Sequence, residues 1–182
     1  RTVAIGYINV DNLEEALADL DIQDRSECQG KITGAIVKWA EKFKAYVRAF
    51  SDSKLMLMTN YANLVKMMED NFSILDEIKL LLKTTKAVHV TLSIGIGADG
   101  SSYSQNLEFA RNAIDLALGR GGDQAVVKVR GLIHYYGGKT EQVERNTRVK
   151  ARVKALALRE IMEGRDNVVI MGHSLSDVDS IG

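Results

Sequence analysis

The chain has 182 residues, 46% of them hydrophobic and 26% charged, with Lys+Arg and Asp+Glu both numbering 24. This is enough for one packed domain of ordinary size plus some extra, and formal neutrality points to no particular partner. The single cysteine, Cys28, excludes an internal disulfide and suits a reducing compartment as a small buried or helix-face residue; no run approaches the ~18 apolar residues of a membrane span. Thr2 to Val10 (TVAIGYINV) is apolar on both alternating faces, as in a central strand covered on both sides. Asp11-Asn12-Leu13-Glu14 reads as a capped helix start, with Asp11 as N-cap and Glu14 three residues on. Leu13, Ala16, Leu17 and Leu20 give that helix its apolar stripe. Ile32, Ile36, Trp39, Phe43 and Tyr46-Val47 recur at helical spacing, the strongest amphipathic pattern in the chain, with the Trp read as core. Tyr46 to Phe50 then reads as a strand ending. Ser51-Asp52-Ser53-Lys54 is a polar turn and Leu55 to Thr59 a returning strand, so a hairpin is expected.

Leu64, Val65, Met67 and Met68 belong to a short helix, and a further helix covers about Ser73 to Leu82. Ala87 to Ile96 (AVHVTLSIGI) reads as a strand holding His89 as a structural histidine, after which Gly95, Gly97 and Gly100 loosen the chain into a loop. Ser104 to Leu118 is a helix with Leu107, Ala110, Ile114 and Leu118 on its inner side. Gly119 to Asp123 stops it. Ala125 to Val129 is the next strand, and Leu132 to Tyr136, with His134 again structural, pairs with it or extends the same edge. Gly138-Lys139-Thr140 ends like a phosphate-binding P-loop, but the required earlier glycine position holds Ile133, which rules that motif out. Glu141 to about Glu163 is a helix with Val149, Val153, Leu156 and Ile161 packed. Arg145, Arg148, Lys150, Arg152, Lys154 and Arg159 stand on it with no acid between 145 and 159. It reads as a linker whose basic side is either solvated or turned to an acidic surface or a phosphate.

Asn167 to Ile170 reads as a short buried strand opening a second domain, followed by MGHSLSDVDSIG. His173, Asp177 and Asp179 are its candidate metal ligands. Asp177 and Asp179 face the same side if the chain is extended. An imidazole with two carboxylates suits Mn²⁺, Fe²⁺ or Zn²⁺, and a metal pair would clamp a phosphodiester and acidify the attacking water. Taken alone, the same residues suit a turn or a helix N-cap equally well, and three ligands are too few for two metals.

The order of elements is α/β of the α+β kind with a mainly antiparallel sheet. The turn Ser51-Asp52-Ser53-Lys54-Leu55 falls where nucleotide cyclases of the GGDEF group carry their signature turn. With GRGGDQAVVK, YYGGKT, the helix RNTRVKARVKALALRE and MGHSLSDVDSIG, the chain resembles the GdpP (YybT) type of cyclic di-AMP phosphodiesterase over essentially all 182 residues, Leu118 to Gly182 being the specific part. The resemblance implies a degenerate GGDEF domain over 1–138, a linker helix over 139–165 and the start of a DHH phosphodiesterase domain at 166–182. It implies Mn²⁺ at His173, Asp177 and Asp179, with the remaining DHH/DHHA1 residues beyond Gly182. It further implies a membrane-anchored bacterial parent, with this portion cytoplasmic and a PAS sensor upstream. That parent would hydrolyse cyclic di-AMP to pApA as a homodimer, with no nucleic-acid partner. A start without Met fits an excised fragment. Asn9 stands where active cyclases present an acidic metal ligand, although Asp11 is nearby. The turn lacks both glycines, and Lys54 replaces an acid. An amide and an ammonium cannot replace two carboxylates around Mg²⁺, so diguanylate synthesis is not expected. The domain is expected to be regulatory. The alternatives are a nucleotide-sensing or dimerisation module, or a weak ATPase whose ATP site the resemblance does not localise.

Overall fold

The computed structural model describes residues 2–83, 85 and 89–138. In chain order the elements are β1 (Val3–Asp11), α1 (Leu13–Leu17), α2 (Ile22–Lys42), β2 (Tyr46–Ser51), β3 (Lys54–Asn60), α3 (Tyr61–Glu69) and α4 (Ile74–Leu82). They continue with β4 (Thr91–Ala98), α5 (Tyr103–Gly119), β5 (Gln124–Val129) and β6 (Leu132–Gly137). One sheet runs β2-β3-β1-β4-β5-β6. All its neighbours are antiparallel except β4 and β5, which α5 joins as a crossover, since parallel strands cannot be linked by a tight turn. The central place of β1 explains why both of its faces are apolar. The expected α+β fold with a mainly antiparallel sheet is what forms.

One face of the sheet carries Ile8, Val10, Leu55, Leu57, Ile94 and Ile96, in one core with Ile32, Ile36 and Trp39 of α2, Leu64 and Met67 of α3, and Ile74, Ile78 and Leu82 of α4. Trp39 is fully buried, so its N–H needs a partner. Its Nε1 donates to Asp70 Oδ2 at 3.1 Å, while its ring meets Phe43 and Phe72 at centroid separations of 5.5 and 6.0 Å. The stripe of α2 is thus core, and Cys28 is buried on the same helix.

The other face is covered by α5 across the β4–β5 half. Here the structure corrects three expectations. Gly95 and Gly97 do not open a loop: β4 runs through both to Ala98. A Cβ on Gly95 would lie 2.1 Å from Ile114 N, and one on Gly97 2.1 Å from Asn106 O, so the glycines let the helix backbone rest on the strand. For the same reason the buried side of α5 is Asn106, Ala110, Ala113 and Ala117, with Leu107, Ile114 and Leu118 only half-buried. Neither histidine is a buried structural residue. His89 precedes β4 in an exposed turn, where its carbonyl accepts from Asn12 Nδ2 at 3.4 Å, and His134 is exposed on edge strand β6. Residues 87 and 88 of the expected strand are outside the description.

Asp11 is not the N-cap of α1. It is the last residue of β1, and the cap position falls to Asn12, left-handed at φ 58° and without a side-chain capping bond. No helix among the described residues is long and apolar enough to cross a membrane. The linker helix expected over 139–165, the strand at Asn167 to Ile170, and His173, Asp177 and Asp179 lie outside the described residues.

Candidate functional site

Alternation along β1 turns Tyr7, Asn9 and Asp11 to the α5 side of the sheet. In register, Asn9 stands opposite Lys54 of β3 and Ser93 of β4, and Asp11 opposite Thr91. The Asp11 side chain is buried and fully engaged. Its Oδ1 accepts from Asn9 Nδ2 at 2.8 Å. Its Oδ2 accepts from Ser93 Oγ at 2.8 Å, Thr91 Oγ1 at 3.0 Å and the Asp123 backbone N–H at 3.3 Å. Gly122, at φ +78°, closes over it: an added Cβ would sit 2.8 Å from Oδ2. The turn bearing Gly122 and Asp123 is anchored in its own right, because Lys79 Nζ donates to Asp123 Oδ2 at 3.2 Å and pairs with Asp76 at 2.9 Å. Asp11 is therefore a staple joining β1, β4 and the α5–β5 turn.

Burial pushes the Asp11 carboxyl above its ordinary value, against the opposing pull of the hydrogen bonds from Asn9, Ser93, the Asp123 N–H and Thr91. A raised carboxyl pKa means the folded chain holds the proton more tightly than the unfolded one. This group's contribution to stability is full below the ordinary value of 3.8 and is lost as pH rises through the raised one. Asp11→Asn should escape that loss. Its carbonyl can take the three donors now on Oδ2, and Asn9 can turn its amide to accept from the new NH₂. Thermal unfolding against pH should show the variant above the wild type at pH 7, the two curves converging near about pH 4. A variant less stable at pH 7 would contradict the assignment.

The residues of the expected signature turn are divided among three surroundings. Leu55 is core. Lys54 is exposed on the Asn9 side of the sheet, opposite Asn9. Ser51, Asp52 and Ser53 form one wall of a cleft of about 440 Å³, whose other walls are Leu13, Glu14 and Leu17 of α1 and Ile22, Arg25, Ser26 and Gln29 of α2. The Val10 N–H donates to Ser53 O at 2.8 Å, which ties the turn to β1. Arg25 folds back to cap α1, donating from Nε to Leu17 O at 2.8 Å and from Nη2 to Ala18 O at 2.9 Å. The structure therefore brings Asn9 and Lys54 together and turns Asp11 into the interior. Among the described residues no three His, Cys, Asp or Glu side chains gather to hold a metal ion. Sequence reasoning missed Arg25, Thr91, Ser93 and Gly122. A cation shortly after α1 was the one available signal for Arg25; the others reveal themselves only through strand register.

Residues 8–133 match the family described as the GGDEF domain of cyclic-di-AMP phosphodiesterase GdpP-like proteins. Across its whole length the chain is 41% identical to the cyclic-di-AMP phosphodiesterase GdpP of Bacillus subtilis (strain 168), of which it covers 28%. It is 38% identical, over 96% of its length, to the cyclic-di-AMP phosphodiesterase PdeA of Listeria monocytogenes, of which it covers 27%. The chain thus spans little more than a quarter of these relatives. Among solved structures, a diguanylate cyclase/phosphodiesterase from Caldicellulosiruptor saccharolyticus matches with a TM-score of 0.54 at 15% identity, covering 72% of this chain and 79% of that one. The adenylyl cyclase CyaB from P. aeruginosa matches with a TM-score of 0.55 at 11% identity, covering 79% of this chain and 97% of that one. At such identities these two likenesses speak for the fold alone. The family match extends over most of the chain and includes both Asn9 and the Ser51–Leu55 turn, so the chain belongs to the GGDEF domains of GdpP-like cyclic-di-AMP phosphodiesterases.

Proposed function

We propose that this domain is a catalytically degenerate, regulatory GGDEF module of a parent enzyme that hydrolyses cyclic di-AMP to pApA. The observation that carries the degenerate part is the pairing of Asn9 with Lys54 across β1 and β3. Two-metal phosphoryl chemistry needs carboxylates to hold the cations and neutralise the phosphate, and an amide facing an ammonium offers neither. Asp11 does not make up the deficit, because each of its oxygens already accepts from a protein donor.

The parent's hydrolytic site is assigned to the segment carrying His173, Asp177 and Asp179. One imidazole and two carboxylates make a hard-to-borderline donor set that fits Mn²⁺. Such an ion would acidify the attacking water and neutralise the phosphodiester. Within that reading the parent is a membrane-anchored homodimer with this domain on its cytoplasmic side.

Incubating residues 1–182 with GTP and Mg²⁺ or Mn²⁺, followed by chromatography, should yield no cyclic di-GMP, and the same chain should leave cyclic di-AMP intact. Steady accumulation of cyclic di-GMP would end the degenerate reading, and robust pApA formation would end the placement of the hydrolytic site. In the full-length parent, Asp179→Ala should lower Mn²⁺ content and turnover of cyclic di-AMP together. Full turnover at full metal occupancy would remove Asp179 from the metal site.

A further inference from the structure

The face of the sheet that bears α5 is only partly covered. Register lays two rows of side chains across it. One runs Tyr46, Met58, Ile5 and Gly97, and the next runs Arg48, Met56, Tyr7 and Gly95. α5 stands over the glycine ends of both rows, where Asn106 and Ile114 are what an added Cβ would strike. A helix is about 10 Å across and strands lie about 4.8 Å apart, so one helix roofs about two strands. Among the described residues nothing roofs the β1, β3 and β2 part of the rows. Tyr46 is accordingly 64% exposed and Met58 41%, with Met56 and Tyr7 half-buried beside them. α5 adds a wall to this bare floor. On one flank Lys128 of β5 lies over the Phe109 ring and Leu116 packs on the cluster that holds Val126, so that flank turns to β5. At 3.6 residues per turn the opposite flank carries Leu107, Ile114 and Leu118, all half-buried, and turns to the bare strands. A continuous apolar floor and wall of this kind marks a surface that a partner covers.

The surface is complementary to itself. Take two sheets facing one another, with a two-fold axis between them running along α5. That operation places the α5 of each copy over the bare strands of the other and keeps each side chain at its own level along the rows. The flanks bearing Leu107, Ile114 and Leu118 then meet along the axis. Asp115 follows Ile114, which rests on Gly95, so it arrives over Arg48 of the partner subunit, at the outer end of the Gly95 row. Both side chains are exposed, and neither forms a hydrogen bond or ion pair among the described residues. The two-fold makes this opposite-charge contact twice. With α5 17 residues long, helix and bare strands offer a footprint about 25 Å square, on the order of the ~800 Å² a side of a standard interface once side-chain relief is counted. We propose that two copies of this domain pair face to face, the α5 of each roofing the bare β1, β3 and β2 strands of the other. None of the residues named here lines the cleft between α1, α2 and the β2–β3 turn, so the pairing leaves that cleft open. It names the surface this domain contributes to the homodimeric parent and rests on that reading only in that the partner is the same chain. A parent that dimerises through other regions would keep that reading while failing the measurements below.

Sedimentation equilibrium of residues 1–182 tests the pairing. The mass should rise from 20.1 kDa towards twice that value as the concentration goes from about 10 µM to 1 mM, the range of an interface of modest area. Met58→Glu puts a charge on the floor and should weaken association about tenfold or more. Arg48→Glu and Asp115→Arg should each weaken it by about tenfold, since each sets like charges against one another at both contacts. All three replace exposed side chains and should keep the circular dichroism spectrum of the wild type. An equimolar mixture of the Arg48→Glu and Asp115→Arg chains should associate nearly as well as the wild type, because only the mixed pair has opposite charges at both contacts. A purely structural role for either residue would give no such rescue. A wild type still monomeric at about 1 mM, association unchanged in folded variants, or a mixture no stronger than its components would each overturn the proposal.

Discussion

Gly95→Ala is expected to abolish cooperative folding or to lower the unfolding midpoint by well over 10 °C, measured by thermal and urea denaturation. β4 lies between β1 and β5, and α5 rests directly on it. A Cβ at position 95 would meet Ile114 N at 2.1 Å and Ile114 Cα at 2.5 Å. Those are backbone atoms of a helix interior, so no side chain can rotate away, and the helix must lift off the strand. Lifting it exposes Val126, Ala113 and Ala117, which pack as a separate small cluster under α5. It also displaces the Gly122–Asp123 turn that donates to Asp11. Overpacking alone costs about 1–3 kcal/mol. With lost burial and a loosened staple the total reaches roughly 4–5 kcal/mol, a large part of the ~5–15 kcal/mol that holds a typical domain together. Gly30→Ala is the matched control. Gly30 is exposed in the middle of α2 with nothing within 4 Å of a new Cβ, so alanine there should stabilise by up to about 1 kcal/mol. Equal effects at the two positions would show that close helix–strand contact is not what Gly95 provides.

That contrast also marks how far the sequence could be read. The α2 stripe and the β2–β3 hairpin are local patterns, with Ile32, Ile36 and Trp39 one helical turn or so apart and two apolar runs around a polar turn, so periodicity suffices. Gly95 and Gly97 carry no such information. A glycine permits a loop and a close backbone approach equally, and the choice is made by Asn106 and Ile114 of a helix that has yet to fold onto the strand. The side of α5 was misread for the same reason: a stripe of leucines is the general expectation, but contact with glycines selects Ala110, Ala113 and Ala117. Asp11 satisfied a local capping pattern with Glu14, yet its real partners, Thr91 and Ser93, are some 80 residues away. The resemblance singles out Asn9 and Lys54 as an amide and an ammonium where acids are expected. That the two positions face one another, and that Asn9 now serves Asp11, required the register.

Asn9→Asp places a second carboxylate at this position, and it is expected to destabilise the domain at neutral pH by about 2–4 kcal/mol, or roughly 5–15 °C in a chain of this size. The Asn9 amide is a donor, 2.8 Å from Asp11 Oδ1. An aspartate in its place puts an acceptor against an acceptor and a second negative charge beside a buried carboxyl that burial already holds above its ordinary pKa. The Oδ2 side offers no relief, since Ser93, Thr91 and the Asp123 N–H are already committed there. Two carboxyls sharing such a site retain a proton between them, so the variant's stability should be greatest in acid and fall as pH rises above the ordinary carboxylate range. The gap to the wild type should therefore narrow as pH falls towards about 4. Mg²⁺ or Mn²⁺ should close little of it, because Lys54 still stands opposite position 9 where a second anionic ligand would be needed. Unfolding midpoints measured from pH 4 to 8, with and without either cation, test all three expectations. A variant as stable as the wild type at pH 7 would mean that Asn9 is not the neutral partner the buried Asp11 requires.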